Sequence, residues 1–438
     1  MKTVFRHAWI LTMDETDTQY RDGWLIAEGD TITGLGAEPW PESQADEAID
    51  CHGGILLPGF VNLHGHASMV PFRSLGDDCA DRLRRFLFPL ENDAMTPELA
   101  YLGARYAMAE MLLGGITTFV DMYYFQEQIA KACLEMGLRG YMGETVISQP
   151  APGSPQADGG LDLAVTMLKK WSDHSRIRPI LAPHGTKTVR AETLKACHRL
   201  AVEHHTLMTL HTCETDDEMQ YFEQQNTTPI QFLDSIGCLS DHVLAVHCIH
   251  VDEKDIQIMA ERGVRVAHCV AANMKSGKGI CPVHDMERAG ILWGIGTDGP
   301  SSGNTLNMFN QMRLIAYAQK TRYHDRTLFP ARNIVRAATA GGAAVLNGAR
   351  RFGSLKRGMS ADMTLISVQG PAMFPLFDPY SALVYAASAQ DVQLVMADGK
   401  ILVRDGRLTM ANLNDLRTQL LNAMGAFEQA AARYADVL

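Results

Sequence analysis

The stretch GFVNLHGHASM, Gly59 to Met69, is an apolar run that ends in two histidines one residue apart, His64 and His66. Gly59–Leu63 is nearly continuous in apolar side chains, the pattern of a strand buried on both faces of a parallel sheet. Seven further runs have the same character: Ile116–Met122, Tyr141–Ile147, Ile177–Ala182, Thr206–Leu210, Val243–Val246, Val264–Ala267 and Ile291–Gly296. Segments between them, such as LAYLGARYAMAEMLLGG and ETLKACHRLAVEHH, carry helical spacing. Eight strand–helix alternations predict an α/β fold, a (β/α)8 TIM-like barrel over residues 58–354.

The flanks have a different texture. TVFRHAWILTM, DGWLIAEGDTITGLG and GGILLPG come before the barrel, and DMTLISV and VQLVMADGKILVRDG come after it. These are short strand-like pieces with turn signals, and neither flank alone is long enough to bury a core. They are expected to join as one small β-sandwich domain, residues 1–57 with 355–412, followed by a C-terminal helix over 413–438. QPAPGSPQADGG, Gln149 to Gly160, is expected to be a loop bordering the barrel mouth.

The whole chain of 438 residues carries a net charge of −11, and no Lys/Arg run breaks that balance. This argues against nucleic acid and anionic membranes as partners. No stretch reaches the roughly 18 uninterrupted apolar residues of a membrane span. The opening MKTVFRHAWILTMDE lacks the apolar core and small-residue cleavage site of a signal peptide. Nine cysteines without a CxxC pair read as reduced thiols of a cytoplasmic protein. The 23 methionines are most simply core filling.

In a barrel of this kind the chemistry sits where strands end. Run 1 ends in His64 and His66. Run 4 ends in APHG with His184, and run 5 in LHTCE with His211 and Glu214. Run 6 ends in VHCIH with His247 and His250, run 7 in AHC with His268, and run 8 in GTDG with Asp298. Only 16 residues of the chain are histidine, yet histidine follows five of the eight runs. Residues i and i+2 of a strand point to the same side, so His64 and His66 can share one metal ion. His211 and Asp298 complete a set of three imidazoles and a carboxylate, which suits Zn2+ or Fe2+ and leaves room for a water. Glu214, three residues past His211, is placed to carry a proton between that water and a substrate. His247 can orient the water, and Asp298 can share its proton. His250 reads as structural, and His268 as either structural or substrate-facing.

The segments PGFVNLHGHASM, FVDMYY, LAPHG, LHTCETDDE, AVHCIH, AHCVAANMK and GTDGPSSGNTLNMF, in that order over residues 58–309, resemble the amidohydrolase superfamily. They look most like its branch of S-adenosylhomocysteine/methylthioadenosine deaminases, guanine deaminases and triazine hydrolases. The flanking β pieces and Ala338–Ile366 are similar too. The resemblance implies one divalent metal, usually zinc, on His64, His66, His211 and Asp298. Glu214, His247 and Asp298 are then the catalytic groups, and Glu91, His184 and Asn304 the expected substrate contacts. Binuclear relatives bridge their metals with a carboxylated lysine from strand 4; here His184 occupies that strand end and Lys187 lies further on. Pro89-Leu90-Glu91 keeps the glutamate that holds ribose hydroxyls in the nucleoside enzymes, but DRLRRFLF before it has no tryptophan. After Asn273-Met274-Lys275 the family's Leu-Ala-Ser is replaced by Ser276-Gly277-Lys278.

The resulting expectation is a metal-dependent hydrolytic deaminase acting on an exocyclic amine of an N-heterocycle such as a purine, purine nucleoside or pterin. A triazine-type hydrolase releasing chloride or an alkylamine is the alternative. A non-catalytic metal-binding barrel is the rival from another class, although such a scaffold has no need of Glu214. Homo-oligomers are common in this family.

Overall fold

The computed structural model describes residues 1–41, 44–348 and 350–435. Its central element is an eight-stranded parallel sheet in which each strand pairs with its neighbours in the chain. The strands are β1 (Phe60–Asn62), β2 (Ile116–Tyr123), β3 (Arg139–Val146) and β4 (Ile177–Pro183), then β5 (Met208–Thr212), β6 (Val243–His247), β7 (Arg265–His268) and β8 (Trp293–Ile295). All eight apolar runs fall on these strands. Every residue of β2 and β3 is buried, because helices cover one face and the barrel interior the other. Beyond the last strand, Leu63 N–H donates to Ile295 O at 2.8 Å and Asp298 N–H to His64 O at 3.1 Å. These two bonds draw the end of β8 onto the end of β1, so the barrel is nearly closed.

The flanks form a separate mixed sheet of nine strands. The N-terminal flank gives Lys2–Leu11, Gln19–Glu28, Thr31–Ala37, Glu47–Asp50 and Ile55–Pro58, and the C-terminal flank Met363–Ile366, Val392–Ala397, Lys400–Arg404 and Arg407–Leu408. The two halves meet where Ile55–Pro58 pairs antiparallel with Met363–Ile366. The sheet turns back on itself: Ile32 N–H donates to Met359 O and Gly358 N–H to Ile32 O, both at 2.8 Å. Phe5, Ile10, Leu25, Ile32, Leu56 and Leu365 share the apolar core that results. The expected C-terminal helix is two helices, Leu413–Ala423 and Gly425–Ala432; residues 436–438 of that expectation lie outside the described residues. No helix among the described residues is long and apolar enough to cross a membrane. All nine cysteines are free.

One buried cation joins the two units. Arg139, at the start of β3, reaches Asp362 at 3.2 Å and Ser360 at 3.3 Å, and also Asp398, while its guanidinium lies 5.0 Å from the Phe352 ring centre. Arg139 is 5 % exposed and Asp362 3 %. Removing one partner of such a network leaves buried charge unpaired. Arg139→Met is expected to lower the unfolding free energy by about 3–5 kcal/mol, read from urea denaturation; a change under about 1 kcal/mol, the worth of a surface pair, would show that the contact is not structural.

Candidate active site

The strand ends carry most of the residues singled out by sequence, and the backbone there departs from regular strand. His247 (φ 72), Asp298 (φ 59) and Cys213 (φ 50) all occupy the left-handed region, which is uncommon for residues with side chains. Where β5, β6 and β8 run out, the chain turns sharply, and the His247 and Asp298 side chains meet at the cavity while Cys213 packs into the core.

His66 Nδ1 donates to Met122 O, at the end of β2, and His211 Nδ1 donates to His184 O at 2.7 Å. Each ring therefore spends its outer Nδ1 proton on a carbonyl and turns Nε2 to the interior. Those atoms crowd together: His64 Nε2 lies 3.2 Å from His211 Nε2 and 3.8 Å from Asp298 Oδ1, and His66 Nε2 lies 3.3 Å from the same oxygen. His64 Nδ1 is buried without a partner among the described residues. Burial holds the His64 and His211 imidazoles well below their ordinary value, so both are neutral. Lone pairs and a carboxylate packed this closely suit a shared cation. Two overlapping ligand clusters result, His64–His66–Asp298 and His64–His211–His247, each with its donor atoms within 4.8 Å of one another. The four expected ligands thus divide between two clusters that meet at His64, and His247 joins one of them.

Second partners fix the arrangement. Asp121, buried on β2, accepts from Ala67 N–H at 2.6 Å and from Gln126 Nε2 at 2.7 Å, pinning the chain just past His66. Gly299 N–H donates to Asp298 Oδ1 at 2.7 Å. Lys187, the lysine nearest the strand-4 end, pairs with Asp217 and is not part of either ligand cluster.

A cavity of about 660 Å3 opens above this cluster, with His66, Glu91, His184, Glu214, Lys278 and Asp298 among its walls. That volume suits a small-molecule ligand. Glu214 Oε1 lies 3.5 Å from His247 Nε2 and accepts from Lys278 Nζ at 2.6 Å. Burial alone would push the Glu214 carboxyl up; His247, Lys278 and His211 outweigh it and hold the group below its ordinary value. Glu218, itself buried, accepts from Glu214 N–H at 2.8 Å and from the Thr186 hydroxyl. Glu91 is 4 % exposed and accepts from the Tyr123 hydroxyl at 2.8 Å, while burial raises its carboxyl to about 7. His184 Nδ1 pairs with Thr188 Oγ1 at 2.8 Å, and its ring meets Phe88 edge-on at 5.5 Å.

Other expectations land elsewhere. Asn304 is outside the cavity wall: its side chain donates to Asp77 at 2.7 Å and accepts from Lys275 at 2.9 Å. Its left-handed backbone (φ 60) turns it toward that rim cluster. The expected mouth loop Gln149–Gly160 is tied down by Asp158, which meets both Ser148 and Arg190, and none of it lines the cavity. His268 is fully buried at the end of β7, with neither nitrogen partnered among the described residues. Lys278, Asn273 and Glu218 were not singled out by sequence as site residues; only the departure at Ser276-Gly277-Lys278 hinted at the first.

Residues 55–402 match the amidohydrolase family. The chain belongs to that family. A relative named 5-methylthioadenosine/S-adenosylhomocysteine deaminase 1, from Syntrophus aciditrophicus, is 36% identical over 95% of this chain and 96% of its own length. Among solved structures, an adenosine deaminase from Xanthomonas campestris with bound zinc superposes with a TM-score of 0.94 at 28% identity, covering 98% of both chains. An atrazine chlorohydrolase from Arthrobacter aurescens superposes at 0.89 with 23% identity, over 96% of this chain and 100% of its own, a likeness of fold. The ligand clusters of this amidohydrolase therefore support a divalent metal.

In this amidohydrolase His66→Ala removes the ring nitrogen that faces Asp298 at 3.3 Å. The variant is expected to fold and to lose its metal, measured as metal per chain after gel filtration. Retention at the wild-type ratio would remove His66 from the ligand set.

Proposed function

We propose that this amidohydrolase is a zinc-dependent hydrolytic deaminase of adenine nucleosides substituted at the 5′ position. The observation that carries this reading is Glu214: an ionised carboxylate on the cavity floor, 3.5 Å from His247 Nε2 and beside the histidine–aspartate cluster. The names of the relative and of the 28%-identical structure support the substrate class. His64, His66, His211 and Asp298 are the residues that would hold the ion. When bound, zinc supplies Lewis acidity that makes hydroxide available from water near neutral pH.

The chain's own groups then move protons and position the substrate. Glu214 takes a proton from the attacking water and passes it to the ring nitrogen next to the carbon that bears the amine. The second proton of that water, released from the new hydroxyl, goes to the amine, which leaves as ammonia while the ring keeps a carbonyl. His247 presents Nε2 to the attacking water, because its Nδ1 is fixed by Asn273 Oδ1 at 2.8 Å. Asp298 Oδ1, anchored by Gly299 N–H, faces the tetrahedral carbon's new hydroxyl and accepts from it. Glu91, steadied by Tyr123, accepts from ribose hydroxyls, and His184 lies against the ring from the strand-4 side.

Glu214→Gln is expected to keep its metal and to lose about 10²–10⁴-fold in ammonia release, followed on adenosine and 5-methylthioadenosine. A rate near wild type would dismiss Glu214 as the proton carrier, and chloride release from a chlorotriazine without ammonia release would dismiss the deaminase reading. Glu91→Ala is expected to raise KM for the nucleoside far more than for free adenine; an equal effect on both would separate Glu91 from ribose recognition.

A further inference from the structure

Among the described residues, Lys278 is the lysine on the barrel's mouth that reaches the Glu214 carboxylate. Its Nζ donates to Glu214 Oε1 at 2.6 Å, with the two side chains 32% and 18% exposed. Lys275, one helical turn earlier, faces the other way and binds Asp77 at 2.7 Å on the rim. The difference comes from the backbone. Helix Val270–Lys275 ends, and Gly277 (φ +66) and Gly279 (φ +121) flank Lys278 in conformations that favour glycine. A Cβ at Gly279 would sit 3.0 Å from Ile249 Cγ2, so the loop lies close against the strand-6 end.

The inward turn is tied to the other catalytic group. Lys278 N–H donates to Asn273 O at 3.0 Å, and the side chain of that same Asn273 holds His247 Nδ1 at 2.8 Å. Asn273 thus sets both the imidazole on one side of Glu214 and the ammonium on the other. Glu214 is held at two points: Glu218 takes its backbone N–H at 2.8 Å, and Lys278 takes one carboxylate oxygen. Oε1 is thus shared between the Lys278 ammonium at 2.6 Å and the His247 imidazole at 3.5 Å.

We propose that Lys278 is a positioning residue for the reaction, fixing the Glu214 carboxylate beside His247 in the orientation from which it transfers protons. The inference rests on the deaminase reading above. An exposed lysine–glutamate pair contributes little. A charge-assisted bond that orients a proton carrier inside a cavity acts on rate, because misplacement by about 1 Å can cost 10²-fold.

The test is a double-mutant cycle on the full zinc-loaded chain with 5-methylthioadenosine, joining Lys278→Met and Glu214→Gln, with Lys278→Arg and Lys278→Gln alongside. Lys278→Met and Lys278→Gln are expected to lower kcat about tenfold or more, to change KM by less than about threefold, and to keep one metal per chain. Lys278→Arg is expected to restore most of the rate. In the Glu214→Gln background Lys278→Met is expected to cost nothing further, since groups that act as a unit are not additive. Melting temperatures give a second reading: Lys278→Met lowers the melting temperature when Glu214 is present and not when it is Gln. A wild-type kcat in Lys278→Met, or an equal loss in both backgrounds, overturns the proposal. Silence of the wild type toward every aminopurine overturns the deaminase reading instead, and the melting cycle still decides whether Lys278 holds Glu214.

Discussion

Three imidazoles and a carboxylate crowded together at the strand ends are the constraint on which the site depends. His64 Nε2 sits 3.2 Å from His211 Nε2, and Asp298 Oδ1 lies within 3.8 Å of both His64 and His66. Neutral lone pairs do not attract each other, and a buried carboxylate needs a counter-charge. The surrounding backbone nevertheless holds them there. His66 and His211 each give their outer N–H to a neighbouring strand's carbonyl, and Asp298 N–H closes the barrel onto His64 O. The barrel's last hydrogen bonds and the ligand geometry are thus the same structural feature: the ring cannot close without bringing β1 and β8 residues together.

Around that centre the groups are arranged in pairs with opposite demands. Glu214 is kept ionised by His247 and Lys278 despite its burial, while burial pushes Glu91, which accepts from the Tyr123 hydroxyl, up to about 7. Two glutamates in one cavity therefore differ in charge near neutral pH, one an anion and the other an acid–anion mixture. The difference lies in their neighbours and not in the residue type. The supporting shell is backbone-heavy: Glu218 holds Glu214 N–H, Asp121 holds Ala67 N–H, and Asn273 holds both a ring nitrogen and a loop N–H. Loops that carry chemistry are in this way given the rigidity of the strands beneath them.

Much of this was legible in the chain. The eight apolar runs coincide with the eight barrel strands, because a strand buried on both faces must be apolar throughout and its pattern survives without any knowledge of its neighbours. The histidines after those runs were legible for the same reason: a polar residue that ends an apolar strand points at the barrel's functional face. The two flanks also joined into one sheet as expected, since neither could cover its own apolar side. Asn304 lies at the rim, where its left-handed turn, invisible in composition, sends the side chain to Asp77. Gln149–Gly160 reads as a mouth loop by its prolines and glycines, but Asp158 draws it onto Ser148 and Arg190.

The sequence by itself determined the kind of fold, the strand ends at which chemistry sits and the donor types available there, because those follow from burial, alternation and ligand preference within short stretches. Tertiary structure decided which of those groups touch. His247 falls in one cluster with His64 and His211, Lys278 reaches Glu214 across 64 residues of chain, and Asn273 couples that lysine to His247. These contacts rest on left-handed turns at His247, Asp298, Gly277 and Gly279, and a side chain's direction after such a turn is set by the packing of the loops around it rather than by local sequence.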